Sequence, residues 1–162
     1  MKTSRFERKW FYENVDVNSL LQGIYKSKFN FFESFPLRKV NSIYFDDNEL
    51  TSIYQNLDGI AEKKKLRVRW YGKKNIITNP VIEIKSKKDF IVNKQTILMN
   101  IKKPLPFNDN SINKIKKIIS NKIDLAKSLV PTISTHYERY YFISANSNVR
   151  ATLDKNLSSS ML

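Results

Sequence analysis

Residues 63–71 read KKKLRVRWY and place five cations among four apolar side chains. From position 65 the two classes alternate, and alternation predicts a β-strand because successive side chains of a strand point to opposite faces. The members of the two faces are Lys65, Arg67 and Arg69 on one, and Leu66, Val68 and Trp70 on the other. The stretch therefore predicts a strand with one apolar face for a core and one face lined with positive charge.

Other predicted strands repeat this division into an apolar and a charged face. It is visible in VIEIK (81–85), HYERYYF (136–142), VRATLD (149–154) and, less regularly, RFERKWFY (5–12). A solvated face of an antiparallel sheet would explain any one of these strands. Arginine, however, carries a planar fork that fits phosphate oxygens, and a sheet curled into a barrel would turn all the charged faces inward. The alternative to a wet face is thus a cationic tunnel that binds a chain of phosphates.

The remaining patterns predict an α+β fold with an antiparallel sheet and inserted helices. We expect one domain over residues 1–157 and a flexible tail over residues 158–162. The predicted helices are Asn18–Phe32, capped by Asn18 and ended by Pro36, a short one within Asp46–Asn56, and Ser111–Leu129, capped by Ser111. The predicted strands are Arg5–Tyr12, Val40–Phe45, Leu66–Tyr71, Val81–Lys85, Asp89–Leu98, Thr132–Ala145 and Val149–Leu153, with a turn at Asp58–Gly59 and a loop over Lys102–Asn110.

The amino-acid composition indicates which kinds of ligand and partner the protein is expected to bind. The 162 residues include 29 Lys and Arg against 15 Asp and Glu, for a net charge of +14, which favours an anionic ligand. The absence of cysteine excludes disulfides and thiolate metal sites. With no signal peptide and no transmembrane segment, we expect a cytoplasmic protein. Basic and aromatic residues together also suit a single-stranded nucleic acid, but no RNA-binding motif is present, so a specific nucleic acid is not expected.

Six motifs, in order, resemble one family: FERKWFY (6–12), NSIYFDD (41–47), KKKLRVRWYG (63–72), VIEIKSK (81–87), HYERYYF (136–142) and VRATLD (149–154). Together they are similar to the VTC domain, the polyphosphate polymerase branch of the triphosphate tunnel metalloenzymes, which are relatives of the CYTH proteins. The resemblance implies an antiparallel β-barrel around a basic tunnel. It also implies ATP, triphosphate or polyphosphate as ligand, Mn²⁺ or Mg²⁺ as cofactor, and transfer of the γ-phosphate of ATP onto a polyphosphate chain.

Site residues follow from the same resemblance. The implied phosphate ligands are Lys9, Arg67, Arg69, Lys85, Lys94, Arg139 and Arg150, of which Lys9, Arg67 and Arg69 would be catalytic. Glu7 and Glu83 are the candidate metal ligands, although Glu83 is also expected to pair with a tunnel arginine or to orient Lys85. We expect His136, the only histidine, to pack rather than catalyse, and the hydroxyls of Tyr44, Tyr137 and Tyr141 to find partners within the fold.

The sequence also departs from the pattern of the wider superfamily. Where other tunnel enzymes carry Glu-x-Glu-x-Lys, this chain has Arg5, Glu7 and Lys9, as is usual in the VTC branch. No residues match the family's later metal-binding glutamate strand, so the barrel is expected to be incomplete or to be completed by another chain or an oligomer. Polymerase activity, inorganic triphosphatase activity, non-catalytic polyphosphate binding and nucleic-acid binding all stay open on these grounds.

Overall fold

The computed structural model describes residues 7–58, 60, 63–88 and 91–162. These residues fall into two compact units. The larger unit holds Arg38–Glu138 and Asn156–Leu162, and the smaller holds the described residues up to Leu37 together with Arg139–Lys155. Among the described residues, no helix has both the length and the apolar character needed to span a membrane.

A six-stranded sheet is the main structural feature. Its strands are β1 (Phe32–Asp46), β2 (Lys63–Tyr71), β4 (Val81–Lys88), β5 (Ile91–Leu98), β7 (Val130–Ile143) and β8 (Arg150–Met161), and their order is β5-β4-β2-β1-β7-β8. The pairs β1–β2, β2–β4 and β4–β5 are antiparallel. In the described part of the chain β5 and β8 are the two edges, so no closed barrel is present there. A separate two-stranded sheet joins β3 (Ile76–Ile77) to β6 (Leu105–Pro106).

The core of the larger unit lies on the apolar face of this sheet, against helix α3 (Asp109–Lys122). Val68 and Trp70 of β2 are fully buried there, as the alternation in KKKLRVRWY predicts. From α3 the buried apolar side chains are Ile112, Ile115 and Ile119, whose spacing places them on one helical face. The apolar half of the opening stretch thus anchors the sheet and leaves its charged half on the opposite face.

Two predictions near the start of the chain are wrong. Residues 7–12, within the predicted strand Arg5–Tyr12, form no regular element, and Trp10, Phe11 and Tyr12 are exposed there. A strand needs a partner and a buried face, and this segment has no clean apolar face to offer. Positions 5 and 6 of that prediction lie outside the described residues.

The first helix is also shorter than predicted. Helix α1 runs over Val17–Tyr25, and its N-cap is Asp16, whose carboxylate accepts from the backbone N–H of Ser19. The aromatic residues after it belong to β1, which begins at Phe32 and continues through Pro36. Aromatic side chains favour strands, and the fixed φ of proline is compatible with an extended chain, so Pro36 does not end a helix here.

Smaller corrections concern the second half of the chain. Helix α3 is capped by Asn108, whose side chain accepts from Ser111 N, so Ser111 is a buried helical residue rather than the cap. After Lys122 the predicted helix gives way to a 3-10 turn over Asp124–Lys127. Positions 158–161, where we expected a flexible tail, form the end of β8, and Leu162 N donates to Thr132 O.

The other predicted strands and the short helix are confirmed with shifted ends, whereas the predicted loop Lys102–Asn110 contains β6 and the start of α3. The short helix α2 covers Thr51–Leu57, and the carboxylate of Asp46 accepts from the N–H groups of Ser52 and Ile53 at its start. Position 59 of the predicted turn and positions 89 and 90 of the predicted strand Asp89–Leu98 lie outside the described residues.

Candidate functional site

The charged face of the sheet is built in rows across neighbouring strands. The central row contains Tyr44 of β1, Arg67 of β2, Glu83 of β4 and Thr96 of β5, each the Cα partner of the next. A second row places Lys65, Lys85 and Lys94 opposite one another. Around the carboxylate of Glu83, this face of β2, β4 and β5 therefore carries the cations Lys65, Arg67, Arg69, Lys85 and Lys94.

Glu83 is the centre of a cluster of three cations. Its Oε2 accepts from Nε of Arg67 at 2.7 Å and lies 3.6 Å from Nη1 of Arg69, while its Oε1 lies 2.8 Å from Nζ of Lys94. The expectation that Glu83 pairs with an arginine of this face is confirmed. Lys85, the other partner expected for Glu83, lies two residues further along β4 and is exposed.

These charges are buried rather than solvated. Only 7% of Arg69 and 6% of Glu83 is exposed, and on the same side of the sheet Ser42 is fully buried. Lys94 is different, because 53% of its side chain is exposed. The face is therefore not an ordinary wet face of a sheet, and Lys94 stands at its open margin.

The buried surroundings change the acid–base properties of the cluster. Burial by itself would raise the pKa of Glu83, but the hydrogen bond from Lys94 and the charges of Arg67 and Arg69 outweigh it and lower that pKa to about 2. Burial likewise opposes the charge of Arg67, yet its contacts with Tyr44 and Glu83 raise its pKa above the ordinary value. Glu83 is thus ionised, and Arg67 charged, throughout the physiological range.

Two tyrosines complete the cluster. Nη1 of Arg67 donates to the hydroxyl of Tyr44 at 2.9 Å, and Nη2 of Arg69 donates to the hydroxyl of Tyr137 at 3.5 Å. The prediction that these hydroxyls find partners is confirmed, although the sequence did not indicate that the partners are the candidate site arginines. Nε of Arg69 is buried and, within the described residues, has no hydrogen-bond partner. A buried N–H without a partner costs about 1–3 kcal/mol, so it marks a place where an acceptor is missing.

The other predicted phosphate ligands lie in different surroundings. Lys85 is exposed on the same face of the sheet. Three more belong to the smaller unit. Lys9 is exposed and pairs with Glu7 at 3.5 Å, Arg139 forms a two-pronged ion pair with Asp154 at 2.5 and 2.6 Å, and Arg150 is exposed at the start of β8. The structure brings together Arg67, Arg69 and Lys94 of the predicted set.

The candidate metal ligands do not fit a divalent cation. Glu83 already has three positive side chains within 4 Å, and a dication beside them would be strongly repelled. Glu7 lies in the irregular segment of the smaller unit and pairs with Lys9. Over the residues that the structure describes, no three His, Asp or Glu side chains gather as metal ligands usually do. Neither Glu83 nor Glu7 is therefore suited to hold a divalent cation.

With this geometry established, comparison with known proteins places the chain in a family. The model of the VTC domain matches residues 5–161, which is nearly the whole sequence. The chain belongs to the VTC domain family. A search of curated proteins found no match. Family membership is consistent with a polyphosphate-related role, and the buried cationic face is the feature of this VTC domain most suited to it.

Proposed function

We propose that this VTC domain binds triphosphate and polyphosphate on the face formed by Arg67, Arg69 and Lys94, and that it acts as a polyphosphate polymerase with ATP as donor. The observation that carries the proposal is the buried Nε of Arg69, which has no hydrogen-bond partner among the described residues and lies beside a cluster in which one carboxylate faces several cations. A phosphate oxygen is the acceptor that would fit both features.

The charges of the cluster suit phosphoryl transfer. In that reaction the bond from the γ-phosphorus of ATP to the β,γ-bridging oxygen breaks, a bond to a terminal oxygen of the polyphosphate chain forms, and ADP leaves with the electron pair. The reaction needs in-line positioning and neutralisation of charge on the phosphoryl oxygens rather than a protein nucleophile. The guanidinium groups of Arg67 and Arg69 are held in fixed positions by Glu83, Tyr44 and Tyr137, so their orientation is set before a ligand arrives.

We also propose that the charged face lines a tunnel. Support comes from β1, where Val40, Asn41, Ser42 and Ile43 are all buried, so both faces of the strand are covered. A flat sheet with one wet face would leave alternate residues exposed. Closing a tunnel requires the edges β5 and β8 to be joined by further strands, either of this protein or of a second chain.

Ligand-induced stabilisation tests the phosphate site. We expect tripolyphosphate at about a hundred times its Kd to raise the melting temperature by roughly 5–10 °C, from about 2.7 kcal/mol of binding linkage in a chain of this size. Single-stranded RNA of equal charge should give a much smaller shift. The double variant Arg67→Ala/Arg69→Ala should lose the response, while Lys114→Ala/Lys117→Ala on α3, which removes the same charge from exposed positions, should keep it.

A second measurement distinguishes polyphosphate polymerase activity from triphosphatase activity. Incubation with ATP and Mg²⁺ or Mn²⁺, followed by ³¹P NMR, distinguishes chain growth, with its internal phosphate signals, from release of inorganic phosphate. Because loss of Arg69 removes a buried side chain, Arg69→Lys serves as the second variant: it keeps the charge but not the planar fork, and we expect weaker binding in a folded protein. An equal response to RNA that survives in both arginine variants would overturn the proposal.

Non-catalytic polyphosphate binding is the second candidate. The observation in its favour is the environment of Glu83, which is occupied by cations and does not fit a metal. In that case tripolyphosphate would stabilise the protein as described, but ³¹P NMR would show neither chain growth nor hydrolysis of ATP.

A further inference from the structure

A cavity lies in the larger unit, beside the turn that follows β2. It measures about 300 Å³, and its lining includes Lys39, Asn41, Gly72, Lys73, Lys74 and His136. The backbone of Gly72 has a φ of 98°, a left-handed conformation that favours glycine, and a Cβ built there would meet no atom within 4 Å. The turn after β2 therefore borders open space.

Strand alternation puts this cavity on the side of the sheet opposite Arg67 and Arg69. Asn41 is the Cα partner of Trp70, which lies on the core face, and Lys39 is two residues away from Asn41 on the same strand. His136 hydrogen-bonds to Asn41, and its ring faces that of Trp70 edge-on with the two ring centroids 6.4 Å apart. The cavity thus lies mainly against the core face of the sheet, and Tyr137, whose hydroxyl accepts from Arg69, is the lining residue that it shares with the cationic cluster.

His136 and Asn41 are buried polar residues of the cavity lining, with 6% and 2% of their surfaces exposed. The side-chain amide of Asn41 donates to Gly72 O at 3.1 Å, so the Oδ1 of Asn41 is the acceptor for Nδ1 of His136 at 2.9 Å. The proton of the neutral imidazole accordingly resides on Nδ1. Nε2 then carries the lone pair, and it is buried without a hydrogen-bond partner among the described residues.

The charged groups around His136 are mostly positive. Lys39, Lys73 and Lys74 line the cavity, and Glu138 is the carboxylate that joins them. Glu138 lies 4.0 Å from Nζ of Lys39 and accepts from Asn156 at 3.4 Å, whereas no carboxylate of the described residues lies within ion-pair distance of Lys73 or Lys74. Burial, and after it the charge of Lys74, lower the pKa of His136 below its ordinary value of 6.5.

We propose that this cavity is a second phosphate-group site, in which Lys73 and Lys74 bind a phosphate dianion and His136 takes up a proton when the anion is bound. The physical reason is that a bound dianion offsets the lysine charges that disfavour the imidazolium. Proton uptake and phosphate binding then favour each other, because linkage between two binding events is reciprocal. The site does not depend on the proposed polymerase activity.

NMR tests this directly because His136 is the only histidine, so its imidazole signals need no assignment. We expect inorganic phosphate to raise the pKa of His136 by about one unit, which corresponds to about tenfold tighter phosphate binding by the protonated form. Tripolyphosphate is the second ligand, and the stronger of the two responses shows whether the site receives a free phosphate or the end of a chain. Chloride at equal ionic strength is the control for screening.

Three variants test which residues cause the phosphate-induced shift in the pKa of His136. Lys73→Ala/Lys74→Ala should abolish the phosphate-induced shift, whereas Arg67→Ala/Arg69→Ala and the matched Lys114→Ala/Lys117→Ala should retain it. An equal shift with chloride, no shift at all, or a shift that is lost only in the arginine variant would overturn the proposal. Since Lys73 and Lys74 are exposed, their replacement should leave the fold intact, which the dispersion of the same spectra checks.

Discussion

Replacement of Glu83 by glutamine tests the structural role of the central carboxylate. The Glu83→Gln side chain keeps nearly the same shape but loses the negative charge that faces Arg67, Arg69 and Lys94. The variant therefore leaves the buried Arg69 and the largely buried Arg67 without their counter-ion. Breaking a buried ion pair in this way is strongly destabilising, since the remaining charge is desolvated and uncompensated.

The pKa of Glu83 sets the size of the effect. It falls from 4.5 to about 2, so the folded protein favours the ionised form of this carboxyl over the protonated form. At about 1.4 kcal/mol per pKa unit, this amounts to about 3 kcal/mol of folding free energy. Because the folded pKa is depressed, that stability is present above pH 4.5 and is lost as the pH falls from 4.5 toward 2.

The free energy of unfolding in urea, measured across this pH range, tests the prediction. Near neutral pH we expect Glu83→Gln to be about 3 kcal/mol less stable than the parent, and the difference should narrow as the pH falls through the window. Glu49→Gln, at an exposed position of the same unit, removes the same charge and should change little. Tripolyphosphate should stabilise Glu83→Gln more than the parent, because the phosphate replaces the lost anion.

The reasoning would be refuted if Glu83→Gln matched the parent in stability and kept its pH profile between 4.5 and 2. It would also be refuted if the variant responded less to tripolyphosphate than the parent, since the carboxylate would then assist the phosphate rather than substitute for it. Loss of a Mn²⁺-dependent stabilisation in the variant would instead assign Glu83 to a metal.

Three further predictions concern the fold. Ile115→Ala should cost about 2–5 kcal/mol in urea unfolding, because Ile115 is fully buried in the core, while tripolyphosphate binding by calorimetry stays unchanged; a cost below about 1 kcal/mol would contradict that packing. Asn108→Ala should cost about 1 kcal/mol by removing the cap of α3, whereas Asn110→Ala in the first turn should cost less. The folded pKa of His136 is lowered, so its stability contribution should decline as the pH falls below 6.5, and His136→Gln should flatten the urea midpoint in that range; an unchanged slope would contradict a buried neutral imidazole.

Local alternation predicted the strands and the two faces of the sheet well. In KKKLRVRWY the order of side chains alone separates Val68 and Trp70, which are buried in the core, from Arg67 and Arg69 on the other face. The same argument predicted strand β4, whereas the arginine partner of Glu83 was expected because a buried carboxylate is usually paired. Such predictions succeed because a period of two in one strand already fixes which side chains can share a face.

Contacts that depend on distant parts of the chain could not be predicted. His136 and Asn41 are 95 residues apart, and Tyr137 reaches Arg69 across 68 residues, so neither pairing leaves a local signal. The incorrect strand prediction over residues 7–12 has the same origin: these residues have strand character, but strand formation depends on a partner that the segment itself does not specify. Pro36 is the opposite case. Proline usually ends a regular element, but here it lies within strand β1.

The electrostatics of the charged face argue for a ligand independently of family membership. Arg69 and Glu83 are more than nine-tenths buried, and burial of an ion costs several kcal/mol even after relaxation. The negative charge of Glu83 offsets part of this cost, but one carboxylate cannot neutralise three cations. In addition, Nε of Arg69 has no hydrogen-bond acceptor among the described residues. A protein that needed this face only for stability would be served better by apolar side chains of similar volume. The arrangement is favourable when a polyanion supplies the missing charge, so the ligand-free fold should be the less stable state and phosphate binding should be read directly from its stability.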